Sequence, residues 1–479
     1  MEQGAAQLMA DELAFTPALE LARRLRDGEL SSVELTEHYL ARIEALNPKI
    51  NAYVTVAADH ARAAAAAADA RRARRDELPA FNGVPISIKD LSDTAGIVST
   101  HGTAEWHDRV PDHDDEAVAR IRAAGFVFLG KTIVPEFGPL NVSEPPGYPP
   151  GRNPWDPDRS CGGSSGGAAA ALVAGLCPVS HGSDGGGSIR NPASWCGAYG
   201  LKPSRGRVSA APDPQQLFSI QGPIARSVAD AAALLDVMAG YATGDAWWAP
   251  PPARPFVDEV GADPGRLRVA YHPHPGVERD ACAAANRAAA ERVASTLADL
   301  GHHVEEALPP GYDAEELVTQ SAIIFAANHA AEAEIVPYPP DDTLDPWMRT
   351  LIEMGRLVTA VDYAKAMHTV QALSRRTVAF FDDYDLFVSP TVAGPPPLVG
   401  AMKDAGFDRI MEFWALTPFT ALWNTTGQPA ASLPVAVDDA GLPVGVQVVA
   451  RPADEATVLR VSAQIETAMP WAGRRPPVS

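Results

Sequence analysis

Lysine is scarce in this sequence. Among 479 residues there are only six (Lys49, Lys89, Lys131, Lys202, Lys365 and Lys403), against thirty-three arginines. Each is worth locating, because a lysine amine can give up its proton inside a protein and an arginine guanidinium cannot. Positive charge as a whole is short: 39 basic residues face 60 acidic ones, a formal net charge of −21. Phosphate binding needs a basic face, so this balance argues against nucleic acid as the main partner and against docking on an anionic membrane. No stretch approaches the roughly 18 apolar residues of a membrane span. Met1 to Phe15 carry Glu2, Asp11 and Glu12 and lack the apolar run of a signal peptide. Cysteine is scarce too: Cys161, Cys177, Cys196 and Cys282 make no CxxC pair and no disulfide framework. The expected setting is soluble, reducing and cytoplasmic.

What is present suffices for a large core, with 46% hydrophobic residues, and 44 prolines imply many firm turns. Length alone suggests about three domains of about 150 residues. The first eighty residues read as helices. Ser31 and Glu34 make a capping box, and Leu35, Tyr39, Ile43 and Leu46 recur behind it at helical spacing. Asp59 to Asp76, rich in alanine and arginine, reads as a solvated helix. From Phe81 short apolar runs alternate with helices. Val84, Ile86 and Ile88 share one face of a strand, and Lys89 shares the other with Ser87. Helices are expected near 115–124, 166–174, 228–239, 279–300 and from about Glu455. Strands are expected at 126–129, 177–180, 266–271, 384–388, 431–437 and 444–450, the last two joined by a turn over 438–442. Residues 241–265, rich in proline, mark the one candidate boundary or excursion. Strands interleaved with helices throughout indicate an α/β architecture with a large central sheet.

The densest chemistry lies between Arg152 and Ser209. Gly162-Gly163-Ser164-Ser165-Gly166-Gly167 is a glycine-serine loop opening a helix, and Gly182-Ser183-Asp184-Gly185-Gly186-Gly187-Ser188-Ile189-Arg190 follows about twenty residues later. Three successive glycines can bring bare amide N–H groups together in a nest suited to a developing oxyanion, with Ser188 at its end placed as a nucleophile. A tight, solvated glycine turn is the plainer alternative for either loop alone.

Taken with its other motifs, the sequence resembles the amidase signature family. The resemblance runs through Gly83–Asp90, Gly130-Lys131-Thr132, Arg152–Pro157, the two loops, Gly200–Pro203, Gly222–Ser227, Asn424–Ala430 and Gly441–Gln447. It implies one α/β domain with a large mixed β-sheet flanked by helices on both faces. Residues 1–80 would be a helical segment packed on a core spanning 81–476. The family's Ser–cis-Ser–Lys triad falls on Ser188 as nucleophile, Ser164 as relay and Lys89 as base. The oxyanion hole falls on the amides of Gly185, Gly186, Gly187 and Ser188, with Ser165, Ser183, Asp184 and Arg190 bracing the site. No metal or organic cofactor is implied, and structural or surface roles are expected for Lys131 and Lys202. The implied reaction is hydrolysis of C–N bonds in small amides, including aryl amides, cyclic amides or carbamates, through an acyl-enzyme. The implied state is a monomer or homodimer.

Departures from the common pattern sharpen this reading. Cys161 stands in place of a proline, Ser183 and Ser204 where threonine is common, and Gly185 where a bulkier residue is common. Residues 181–187 and 202–207 look most like the branch containing bacterial hydrolases of nylon-type cyclic oligoamides, with urethane- and anilide-cleaving amidases as neighbours. Substrate selection is expected to come from loops over 135–150, 212–221 and parts of 320–420.

Several other readings compete. Gly162–Gly166 also satisfies G-x-S-x-G, the elbow of α/β-hydrolases, but the downstream histidines sit in no matching context. Cys161 could be a thiol nucleophile, although a small buried cysteine beside a tight loop fits better. His302-His303 lacks zinc spacing and reads as a loop-to-strand junction. The same fold also serves as the glutaminase subunit of the tRNA-dependent amidotransferase, which needs partner subunits; the acidic charge and the Ser183 and Gly185 variants weigh against it.

Overall fold

Most of the strands are short runs containing β-branched or aromatic residues, which extended backbone packs well. In chain order they are β1 (Tyr53–Val56), β2 (Pro85–Lys89), β3 (Val127–Thr132), β4 (Arg152–Asn153), β5 (Asp156–Ser160), β6 (Val179–Asp184) and β7 (Tyr199–Lys202). They continue as β8 (Ile220–Ala225), β9 (Arg268–Tyr271), β10 (His303–Glu306), β11 (Leu386–Pro390), β12 (Ala430–Val437) and β13 (Pro443–Ala450). The structure is a computed structural model that describes residues 12–212, 217–274, 282–310, 315–336, 338–403 and 414–479.

Eleven strands form one sheet in the order β1-β3-β2-β6-β8-β7-β12-β13-β11-β9-β10, and β4 and β5 make a separate ribbon. The sheet is mixed, as expected. β3, β2 and β6 run parallel at one flank, β11, β9 and β10 at the other, and the strands between them are antiparallel. The turn over 438–442 joins β12 to β13, with the Asp438 N–H donating to the Leu442 carbonyl at 2.8 Å. The main apolar core gathers β2, β3, β12 and β13 with the helices Ser32–Ile50, Gly166–Val173, Val228–Met238 and Glu455–Ala468.

The Ser31 capping box is present in both directions: Ser31 Oγ accepts from the Glu34 amide, and the Glu34 carboxylate accepts from the Ser31 amide. The first eighty residues are not all helical, however. Tyr53-Val54-Thr55-Val56 is a four-residue run of strand formers, too short to break the helical pattern visibly, and it supplies β1 at the edge of the sheet. The Ala58–Arg74 helix is less solvated than expected, since Ala61, Ala65 and Ala68 form a buried stripe. The proline-rich stretch 241–265 is an excursion. It is tied back where Asp236 accepts the amides of Phe256 and Val257 and Glu259 pairs with Arg460. The expected helix over 279–300 is observed as Ala284–Asp299, and its first expected residues, 279–281, lie outside the described ones. Among the described residues, no helix is long and apolar enough to cross a membrane.

Candidate active site

Strand β2 carries its lysine to the C-terminal end of a fully buried pentapeptide. Lys89 has no exposed surface, and its ammonium nitrogen donates to Ser164 Oγ at 2.8 Å and to the Ser183 carbonyl at 2.9 Å. Among the described residues, no carboxylate is bonded to it. Burial therefore dominates and pulls the amine down to about 7, although the Asp184 charge nearby acts in the opposite sense. A neutral amine near neutral pH is a proton acceptor.

Ser164 arrives from the loop before the Gly166–Val173 helix, and the Gly163–Ser164 peptide is cis. A side chain at Gly163 would stand 2.6–2.8 Å from the backbone of Leu140, Asn141 and Val142, so only glycine lets this loop lie against that segment. The neighbouring Ser165 ties the loop to β6: its hydroxyl donates to the Ser183 carbonyl at 3.0 Å, and its amide donates to the Ser188 carbonyl at 3.1 Å. Ser188 is half-buried, and its hydroxyl has no hydrogen-bond partner among the described residues.

The turn after β6 is held from within by one carboxylate. Asp184 and Arg190 are both fully buried, and the guanidinium donates to the carboxylate through Nε at 2.9 Å and Nη2 at 2.8 Å. Burial alone would raise the Asp184 pKa, but the Arg190 charge holds it well below the usual carboxylate range. The same carboxylate accepts the amides of Gly187 at 2.7 Å and Ile189 at 3.1 Å.

That bond corrects one expectation. The Gly187 amide is already donated inward and is not free to bind an oxyanion, whereas those of Gly185, Gly186 and Ser188 have no partner among the described residues. Gly187 serves instead through its conformation. Its φ is +134°, and a Cβ there would overlap Thr420 and Asn191.

Three residues in the last third of the chain also grip this turn, and no role was expected for them. Asn424 Nδ2 donates to the Asp184 carbonyl at 2.7 Å, and its Oδ1 accepts from Arg190 at 2.6 Å. Gln447 Oε1 accepts from Arg190 at 2.7 Å, and Thr420 Oγ1 donates to the Gly186 carbonyl at 2.7 Å. Asn424 and Gln447 lie in family motifs quoted above, which was the available signal; Thr420 had none. Removing one partner of a buried ion pair strands the other charge, so Asp184→Ala is expected to cost about 3–5 kcal/mol of stability, read from denaturant unfolding.

The remaining sequence candidates sort by burial. Lys131 and Lys202 are structural and fully buried, not on the surface. Lys131 donates to the Ser92 carbonyl and to the Thr94 and Ser99 hydroxyls, and Lys202 to the carbonyls of Pro203 and Gln428. Cys161 is fully buried, and burial pushes its thiol up to about 12, the wrong direction for a thiolate nucleophile. His302 accepts the Leu267 amide and contacts Gln464, and His303 opens β10, as a loop-to-strand junction should. Among the described residues, no cluster of His, Cys, Asp or Glu could hold a metal ion. Of the expected selection loops, 213–216 and 404–413 lie outside the described residues.

Residues 34–459 match the family described as Amidase. The Mycobacterium tuberculosis protein named as an amidase, AmiB2, is 42% identical over 475 residues, covering 98% of this chain and 99% of the relative. The 6-aminohexanoate-cyclic-dimer hydrolase of Paenarthrobacter ureafaciens is 37% identical over 480 residues, covering 95% of each. A solved structure of 6-aminohexanoate cyclic dimer hydrolase with its substrate superimposes with a TM-score of 0.91 at 34% identity, covering 97% of this chain and 99% of that one. The chain belongs to the amidase signature family and is a hydrolase of amide C–N bonds.

Proposed function

We propose that the chain is a cofactor-independent serine amidohydrolase in which Ser188 is the nucleophile, Ser164 the relay and Lys89 the base. The observation that carries this reading is the 2.8 Å bond from the Lys89 amine to Ser164 Oγ, in a pocket where burial lowers that amine to about 7, so that a large share of it is neutral at neutral pH. A serine hydroxyl is a poor nucleophile until a base takes its proton. Here the Ser188 proton passes to Ser164 while the Ser164 proton passes to Lys89, and Ser188 Oγ bonds to the amide carbon. The carbonyl oxygen becomes an oxyanion facing the amides of Gly185, Gly186 and Ser188. Collapse breaks the C–N bond, and the departing nitrogen takes a proton from Ser164, which regains one from the Lys89 ammonium. Water then attacks the Ser188 ester, gives its proton to Lys89 through the same relay, and releases the carboxylic acid. Ser188 recovers its proton as it leaves.

The substrates are small amides. Similarity to a cyclic-dimer hydrolase over nearly the whole chain supports cyclic amides among them, and aryl amides and carbamates are the other members of the class. Purified chain, without partner or ATP, is expected to hydrolyse at least one of a matched anilide, aliphatic amide, cyclic amide and carbamate. Burst kinetics and a mass increment of the acyl group on Ser188 would accompany turnover. Activity only on glutamine, and only with added partner subunits, would defeat the proposal.

A further inference from the structure

We propose that Phe137, with Trp106 and Tyr338 behind it, forms the wall of the leaving-amine side of the site, so that this chain favours amides whose amine carries a flat apolar ring. The inference rests on the reading of Ser164 as the relay. A hydroxyl that protonates the departing nitrogen must come within about 2.6–3.2 Å of it. Whatever borders Ser164 Oγ on its open side therefore borders the amine.

The turn after β3 reaches this hydroxyl. A Cβ built on Gly138 would stand 3.7 Å from Ser164 Oγ, which places that glycine at the edge of the relay. The preceding residue is Phe137, held at φ +52°, a left-handed conformation that a bulky residue adopts only when its surroundings enforce it. Two contacts do the enforcing. The Phe137 amide donates to the His101 carbonyl at 2.8 Å, and the ring stacks on Tyr338 with centroids 3.9 Å apart.

Trp106 closes the corner edge-on, 5.3 Å from Phe137. It is fixed in turn by the Arg109 guanidinium 4.8 Å over its ring, and Arg109 is paired with Asp93 at 2.6 Å. All three rings are only half-buried, so part of their apolar surface remains exposed. Aromatic faces take another ring offset or edge-on, a gain worth about tenfold in affinity at most beyond simple burial.

The test uses two series. In the first, one acyl group is joined to 2-phenylethylamine or to propylamine, amines of similar basicity, so that a preference reports contact and not leaving-group quality. In the second, the amine is kept and the acyl group varied. The native chain is expected to favour the phenylethyl amide by roughly tenfold in kcat/KM. Phe137→Ala should bring that ratio close to one and leave the ranking of acyl groups unchanged. Phe137→Leu, which keeps apolar volume and guards against a folding failure, should fall between, and Tyr338→Ala should weaken the preference by loosening the Phe137 ring.

Equal rates on both amides in the native chain would overturn the inference, as would a Phe137→Ala variant that keeps the ring preference or reorders the acyl series. Turnover without ring preference removes this inference alone. Absence of turnover on every amide, with no acylation of Ser188 by an activated ester, removes the proposed function as well.

Discussion

Ser188→Ala is expected to lower kcat by roughly a million-fold, the scale on which loss of the nucleophile disables a serine triad, while the protein stays folded. The fold should be indifferent because the Ser188 hydroxyl bonds to no other described residue, and the turn around it is held by Asp184, Arg190 and Asn424. The check pairs steady-state hydrolysis with a melting curve and circular dichroism. A variant that melts like the native chain yet turns over at a near-native rate would remove Ser188 from the reaction. One that loses activity only because it unfolds would place the serine in the scaffold.

The second large effect is on pH. Lys89 must be neutral to accept a proton, and burial lowers its amine to about 7. Above that value the base is ready; below it the amine is charged. Accordingly kcat/KM should fall about tenfold per pH unit on the acid side, with a midpoint near 7 for the free enzyme. Lys89→Ala should lose most activity at every pH and with it this limb. Lys89→Arg should be equally poor, because a guanidinium keeps its proton throughout. The same amine also bears on stability. Between about 7 and its ordinary value the unfolded chain binds a proton that the folded chain does not, so stability contributed through Lys89 rises with pH across that window. A pH–rate profile flat down to pH 5 would contradict the assignment.

Much of the fold was legible because its signals are local. Ser31 with Glu34 and the alternation in β2 each need only a few neighbouring residues to be read. β1 was missed for the complementary reason: four residues embedded between helical stretches give too little period, and only pairing with β3 makes them a strand. At the site, the sequence could place Lys89 and Ser164 on adjacent elements through the family motifs, and the structure brings them within hydrogen-bonding distance. It could not say which amides stay free, because that depends on where the Asp184 carboxylate lands; Gly187 looks like its neighbours in sequence and differs from them only through that bond. Nor could it say how deep Lys131 and Lys202 lie, since lysine is almost never fully buried and each is kept there by oxygens contributed from elsewhere in the chain.

The grip of the last third of the chain on the glycine turn bears on the order in which the molecule becomes competent. Arg190 is separated from Asn424 by 234 residues and from Gln447 by 257. Contacts so distant must await closure of a long loop, whose entropy has to be met before they return anything. During synthesis the residues of the proposed triad emerge well before the strands and helices that fix the turn. The N-terminal two thirds thus carry every residue of the proposed triad, together with Asp184 and Arg190, but lack the Thr420, Asn424 and Gln447 contacts that complete the hold on the turn. Activity is therefore expected only after β13 has docked, so that turnover would report complete folding.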